Sequence, residues 1–157
     1  MNIIFLDIDG VLHPRNAVAT LSRTPTATSD EIASCGLFRW SNLLESLLVP
    51  ASEVVVYIHS SWRNVRTVQD LRPMLGPLGR RLAGVTVGES RWESILDTVR
   101  KVNPQSWLVI DDEPSEFPQP LPRDVVICDP NRGVCSPRVV REIRRFLSEI
   151  QDSPTHP

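Results

Sequence analysis

Asn2-Ile3-Ile4-Phe5-Leu6-Asp7-Ile8-Asp9-Gly10-Val11-Leu12 carries an apolar run that stops at two aspartates and a glycine. An apolar run without polar alternation suits a strand buried on both faces, as in a parallel sheet. Asp7 and Asp9 are two apart, so on an extended segment both project from one face. Gly10 then lets the backbone turn away closely. The pattern recurs. The run at 54–58 ends in His59-Ser60-Ser61-Trp62-Arg63, that at 107–110 in Asp111-Asp112, and that at 125–128 in Asp129. Residues 84–87 form a weaker fifth candidate.

Helical periods lie between these runs. Trp40, Leu43, Leu44, Leu47 and Leu48 trace one helix face ending at Pro50, and Trp92, Ile95, Leu96 and Val99 trace another. Ser136-Pro137 is a cap and first-turn pair for a helix bearing Val139, Val140, Ile143, Phe146, Leu147 and Ile150. Val65, Val68 and Leu71 suggest one more, weakened by Pro73 and Gly76. Strand and helix alternate, which predicts an α/β fold: one doubly wound, Rossmann-like, mostly parallel five-stranded sheet with helices on both faces. A single domain over 1–150 with a flexible tail at 151–157 is expected. Residues 13–37, rich in Ser, Thr, Ala and Pro, show no apolar period and read as a flap over the site, too short for a separate cap domain.

Composition narrows the function classes. The chain of 157 residues is 41% hydrophobic and 23% charged, as an ordinary globular domain is. A formal charge of -2 gives no global positive field for nucleic acid or anionic membrane. No run reaches the length of a membrane span or a secretory signal, so a cytoplasmic protein is expected. Cys35, Cys128 and Cys135 match no zinc spacing and read as reduced, structural thiols.

Ligands of open α/β sheets bind beyond the carboxyl ends of the strands, where Asp7, Asp9, Asp111, Asp112 and Asp129 fall in this sequence. Like charges converging there favour a cation among them, and an oxygen-only donor set favours Mg2+ over Zn2+. One carboxylate of an Asp-x-Asp pair can attack phosphorus while its partner trades protons with the leaving group. Ser90-Arg91-Trp92-Glu93 fits a capping box with Arg91 at a helix start. A cation there opposes the helix dipole unless it clamps phosphate oxygens. Arg63 is a candidate either for phosphate or for pairing with a site carboxylate. His13 and His59 flank the site and read as structural, while Trp62 and Trp92 read as core or rim residues.

In this order, these residues resemble the haloacid dehalogenase (HAD) superfamily of Mg2+-dependent phosphohydrolases. The resemblance implies that Asp7 is the nucleophile, with Asp9 as acid/base and Gly10 beside the phosphate. Ser60, rather than Ser61, is the hydroxyl that hydrogen-bonds the transferred phosphoryl group, with Ser61 nearby in the substrate site. Asp111 and Asp112 complete a metal site with Asp7 and Asp9. The family's third motif supplies a Lys; here Arg91 is best placed, 20 residues before Asp111, with Lys101 as rival. The Ser-x-Trp-Arg and Asp-Asp-Glu-Pro segments also resemble the HAD domain of multi-domain RNA-repair proteins, which implies a nucleotide or polynucleotide phosphate end as substrate. The alternatives are a catalytically degenerate HAD fold that binds ligands or partners, and a receiver-like phospho-accepting domain.

Overall fold

Strand β1 (Asn2–Leu6) is buried at every position, as its unbroken apolar run requires. The structure is a computed structural model and describes residues 1–17 and 28–152. Around β1 lie β2 (Val54–Ile58), β3 (Leu82–Val85), β4 (Ser106–Asp111) and β5 (Val125–Ile127) in the order β3-β2-β1-β4-β5, every pair parallel. The helices are α1 (Ser29–Ser34), α2 (Ser41–Leu48), α3 (Val68–Met74), α4 (Arg91–Val102) and α5 (Pro137–Asp152). This is the expected α/β architecture, with a sheet that is parallel throughout. The order also separates it from receiver domains, whose sheets run 2-1-3-4-5.

Alternation along each strand sorts the core into two layers. Ile4, Leu6, Val54, Val56, Ile58, Leu108 and Ile110 face a large cluster that takes in Leu44 and Leu48 of α2, Leu71 of α3 and Val139, Ile143, Phe146 and Leu147 of α5. Ile3, Phe5 and Val109 face a smaller one closed by α4, through Trp92, Ile95, Val99 and Val102, and by Phe117. Trp92 stacks at 6.0 Å from Trp107 and 5.9 Å from Phe117, so it belongs to this second layer.

Three expectations shift. The weak fifth strand starts earlier, at Leu82, and stops at Val85; Val87, placed in it from the sequence, is 77% exposed beyond the sheet. The helix expected from Val65 begins at Val68, because Thr67 and Asp70 form a reciprocal capping box and Ser61–Asn64 winds a separate 3-10 turn. Within 13–37, residues 18–27 lie outside the described residues, but the remainder carries core. A second capping box starts α1, with Thr28 N donating to Glu31 Oε2 at 2.7 Å and Glu31 N to Thr28 Oγ1 at 3.2 Å, and Ile32 and Leu37 are buried, as is Phe38 just beyond. Of the expected tail, Gln151 and Asp152 close α5, and 153–157 lie outside the described residues. Among the described residues no helix is long and apolar enough to cross a membrane.

Candidate active site

The parallel register brings the strand ends level. Leu6 pairs with both Ile58 and Ile110, so Asp7, His59 and Asp111 emerge side by side at the carboxyl edge. Asp7 N donates to Ile110 O at 3.0 Å and His59 N to Leu6 O at 3.2 Å, which holds that edge together. The chain turns back between β1 and β4, so Asp7 and Asp111 line the crevice where sheets of this order bind ligands.

Asp7, Asp111 and Asp112 are all buried, and each offers a carboxylate oxygen within 4.8 Å of the others. Gly10, at φ 74°, makes this approach possible: a Cβ there would stand 1.8 Å from Asp112 Oδ2. Opposing charge surrounds the trio. Arg91 Nη1 donates to Asp7 Oδ2 at 3.1 Å and to Asp111 Oδ2 at 2.7 Å. His59 Nε2 meets Asp111 Oδ2 at 2.8 Å, and the Glu113 amide donates to Asp111 Oδ1 at 2.8 Å. Arg15 Nε donates to Asp112 Oδ2 at 2.6 Å and its Nη1 to Glu113 Oε2 at 3.2 Å.

The two buried acids respond in opposite directions. Burial first, and then the neighbouring Asp111 charge, push the Asp7 carboxyl up to about 6, against the pull of Arg91. Burial also acts to raise Asp111, but the His59 hydrogen bond and the His59 and Arg91 charges together outweigh it and hold Asp111 below the usual carboxylate range. Asp111 is therefore the fixed negative charge of the site, and Asp7 the carboxylate whose ionisation depends on what is bound beside it.

The other candidates are placed as follows. The Asp9 carboxylate stands outside the trio: its Oδ1 lies 2.9 Å from His13 Nε2 and accepts from Trp62 Nε1 at 3.0 Å. Ser60 is buried, and its Oγ accepts from Trp62 N at 3.4 Å as the cap of the 3-10 turn that Ser61 opens. Arg63 spends its guanidinium on two backbone carbonyls, His59 O and Gly88 O, and so ties the loop after β2 to the loop after β3. Arg91 heads α4 at the site, whereas Lys101 is ten positions along the same helix, about 15 Å further down its axis. Asp129 is exposed and turns its Oδ1 to the Asn131 amide at 2.8 Å, as a turn aspartate does.

Four further residues contact the site carboxylates: His59 and His13, expected to flank the site as structural residues, Trp62, expected in the core or rim, and Arg15, which no sequence pattern singled out. His59 follows its apolar run as directly as Asp7 follows β1, and that was a usable signal. The others are brought in by tertiary contacts with no local pattern.

A protein-family comparison matches residues 3–139 to the HAD domain in Swiss Army Knife RNA repair proteins. The chain belongs to this family. Among curated proteins and among solved structures, no significant match is found. The donor set suits a hard divalent cation. Asp7 Oδ1 is buried without a hydrogen-bond partner among the described residues, beside two further carboxylates and no thiolate ligand. Three buried carboxylates converging with no thiolate among them form the all-oxygen donor set that a hard divalent cation would take.

Proposed function

We propose that this HAD domain is a Mg2+-dependent phosphohydrolase that works through an aspartyl-phosphate on Asp7, and that its substrate is a nucleotide or polynucleotide phosphate end. The observation that carries the reading is the division of labour within Asp7: Oδ2 is held by Arg91, while the buried Oδ1 has no hydrogen-bond partner among the described residues. A carboxylate so oriented presents one oxygen as a nucleophile. Oδ1 forms a bond to phosphorus as the bond to the leaving oxygen breaks, and Asp9 delivers its proton to that oxygen. Water then attacks phosphorus, gives a proton back to Asp9, and the bond to Oδ1 breaks to release inorganic phosphate. Arg91 and the Ser60 hydroxyl would hold phosphoryl oxygens. Asp7, Asp111 and Asp112 would hold Mg2+, which supplies charge neutralisation where the phosphoryl group gathers negative charge.

The test is phosphate release from an aryl phosphate and from 3'- and 5'-phosphorylated oligonucleotides, in Mg2+ and in chelator. Metal-dependent turnover, lost in Asp7→Asn, is expected. The nucleic-acid class rests on the family's occurrence in RNA repair proteins, and a preference for small phosphate esters over both oligonucleotides would remove it. Tight binding of a phosphorylated ligand without turnover would instead identify a degenerate binding module.

A further inference from the structure

Asp9 is gripped by groups that belong to neither the acidic trio nor its arginines. His13 Nε2 and Trp62 Nε1 converge on the same oxygen, Oδ1, at 2.9 and 3.0 Å. The direction of the first contact is decided two bonds away. The Phe38 amide donates to His13 Nδ1 at 3.2 Å, and a backbone N–H can only donate. Nδ1 is thus the acceptor nitrogen, the ring proton sits on Nε2, and His13 donates to Asp9. The indole N–H of Trp62 has no other polarity to offer. Asp9 Oδ1 therefore receives two N–H donors.

The surroundings hold these donors in place. His13 and Trp62 are both fully buried. The Phe38 ring stands edge-on between them, 5.8 Å from His13 and 5.1 Å from Trp62. Phe38 itself sits at φ 58°, a left-handed conformation that a non-glycine residue keeps only where the surrounding structure imposes it. That conformation aims its amide at His13. The Leu12 carbonyl, accepting from Trp40 N at 3.0 Å, pins the same loop to the segment that carries His13.

From this geometry we infer that His13 and Trp62 are positioning residues for the general acid, fixing the orientation of the Asp9 carboxylate through the two N–H donors on its Oδ1. The inference rests on the phosphohydrolase reading for its catalytic consequence, but not for the bracket itself. A carboxylate free to turn about its Cβ–Cγ bond presents its proton in many directions; two donors on one oxygen select a single one. Neither residue touches the reacting atoms, and both act through Asp9.

Nitrogen-15 NMR reads the bracket without any turnover. His13 is expected as the Nε2–H tautomer, and the Trp62 indole N–H is expected to exchange slowly in the intact protein and faster in Asp9→Ala, which removes the acceptor. A proton on Nδ1 of His13, or an indole N–H indifferent to Asp9→Ala, overturns the inference. The kinetic arm compares two leaving groups. An alkyl phosphate needs its leaving oxygen protonated far more than 4-nitrophenyl phosphate does, so a misoriented Asp9 should penalise the alkyl ester selectively. Trp62→Phe keeps a ring against Phe38 and removes the N–H. It should lower kcat about 10²-fold on the alkyl ester and less than about 5-fold on the aryl ester, with KM little changed. His13→Gln, which can extend an amide N–H toward Oδ1, should recover part of what His13→Ala loses. Equal losses on both esters accompanied by a lower Tm would make both residues mere packing and overturn the inference. Absence of turnover in the intact protein, with both NMR signatures present, would overturn the phosphohydrolase reading while upholding the bracket.

Discussion

Arg91 and Arg15 reach the same acidic cluster from different elements, one from the head of α4 and the other from the loop after β1. By distance alone Arg15 is the tighter partner, at 2.6 Å from Asp112 against 3.1 Å and 2.7 Å for Arg91 on Asp7 and Asp111. Exposure reverses the ranking. The Arg15 side chain is 45% exposed and shares itself with the half-exposed Glu113, whereas Arg91 is 21% exposed and its two partners are 2% and 0% exposed. Coulomb energy depends on the dielectric as strongly as on distance, so the longer contact in the drier place does more. Arg91 is the buried partner of the cluster, and Arg15 a solvent-screened one beside it.

Removing Arg91 should give the largest effect. Arg91→Ala takes away charge where negative charge is held during transfer, and turnover should fall 10²–10³-fold, equivalent to about 3–4 kcal/mol. Arg91→Lys keeps the charge on a compact ammonium and should recover part of that loss. Steady-state rates on one aryl phosphate decide it. Wild-type rates in Arg91→Ala, beside a collapse in Lys101→Ala, would move the cationic role to the far end of α4 and break the comparison.

Metal comes next, because the carboxylates held by both arginines are the ones that Mg2+ would share. Free Mg2+ at roughly a hundred times its Kd should stabilise the fold by about 2.7 kcal/mol, read as a rise in Tm. The pair of substitutions Asp111→Asn and Asp112→Asn should abolish that rise. A shift that survives them would place the ion elsewhere.

The Asp7 carboxyl gives a smaller effect with a definite sign. Its value in the fold, about 6, lies above the ordinary 3.8, so the folded state prefers it protonated. The stability this lends is present below pH 4 and is lost as pH rises through 6. In chelator, Asp7→Asn should therefore raise Tm at pH 8, by an amount worth about 2 kcal/mol once the weakened hold on Arg91 is discounted, and the gain should vanish near pH 4. A gain independent of pH would mean that the carboxylate is not desolvated as its burial implies.

Legibility in the sequence followed the range of the interactions. β1, β2 and β4 could be read because each is a continuous apolar run, and Asp7, Asp111 and Ser60 could be read because a parallel register brings strand ends level whatever lies between them. Arg91 could be placed because a cation at the head of a helix runs against the helix dipole. The capping box from Thr28 to Glu31 was written in the sequence but hidden by the Ser- and Thr-rich composition around it. The start of β3 carries a register shift opposite Val56 and Tyr57, which no single-strand pattern records. His59 on Asp111 spans 52 positions and Arg15 on Asp112 spans 97, and contacts of that range leave no periodic trace.

Arg15→Ala should produce the smallest change and the sharpest test of the contrast between the two arginines. Its ion pair with Asp112 lies at the wetter end of the cluster, so its loss should cost less than about 1 kcal/mol in Tm without metal. Asp112 Oδ2 is also the oxygen that Gly10 admits to the trio, and a guanidinium hydrogen-bonded to it competes with any cation approaching the same atom. Arg15→Ala should therefore tighten Mg2+ binding a few-fold by calorimetry, as Arg15→Lys, which keeps the charge, should not. Salt distinguishes this from simple charge removal. Raising ionic strength screens the exposed Arg15 more than the buried Arg91, so the few-fold advantage of Arg15→Ala should shrink as salt rises while the penalty of Arg91→Ala persists. An advantage that stayed constant in high salt would show Arg15 to be as shielded as Arg91, and the contrast between the two arginines would be lost.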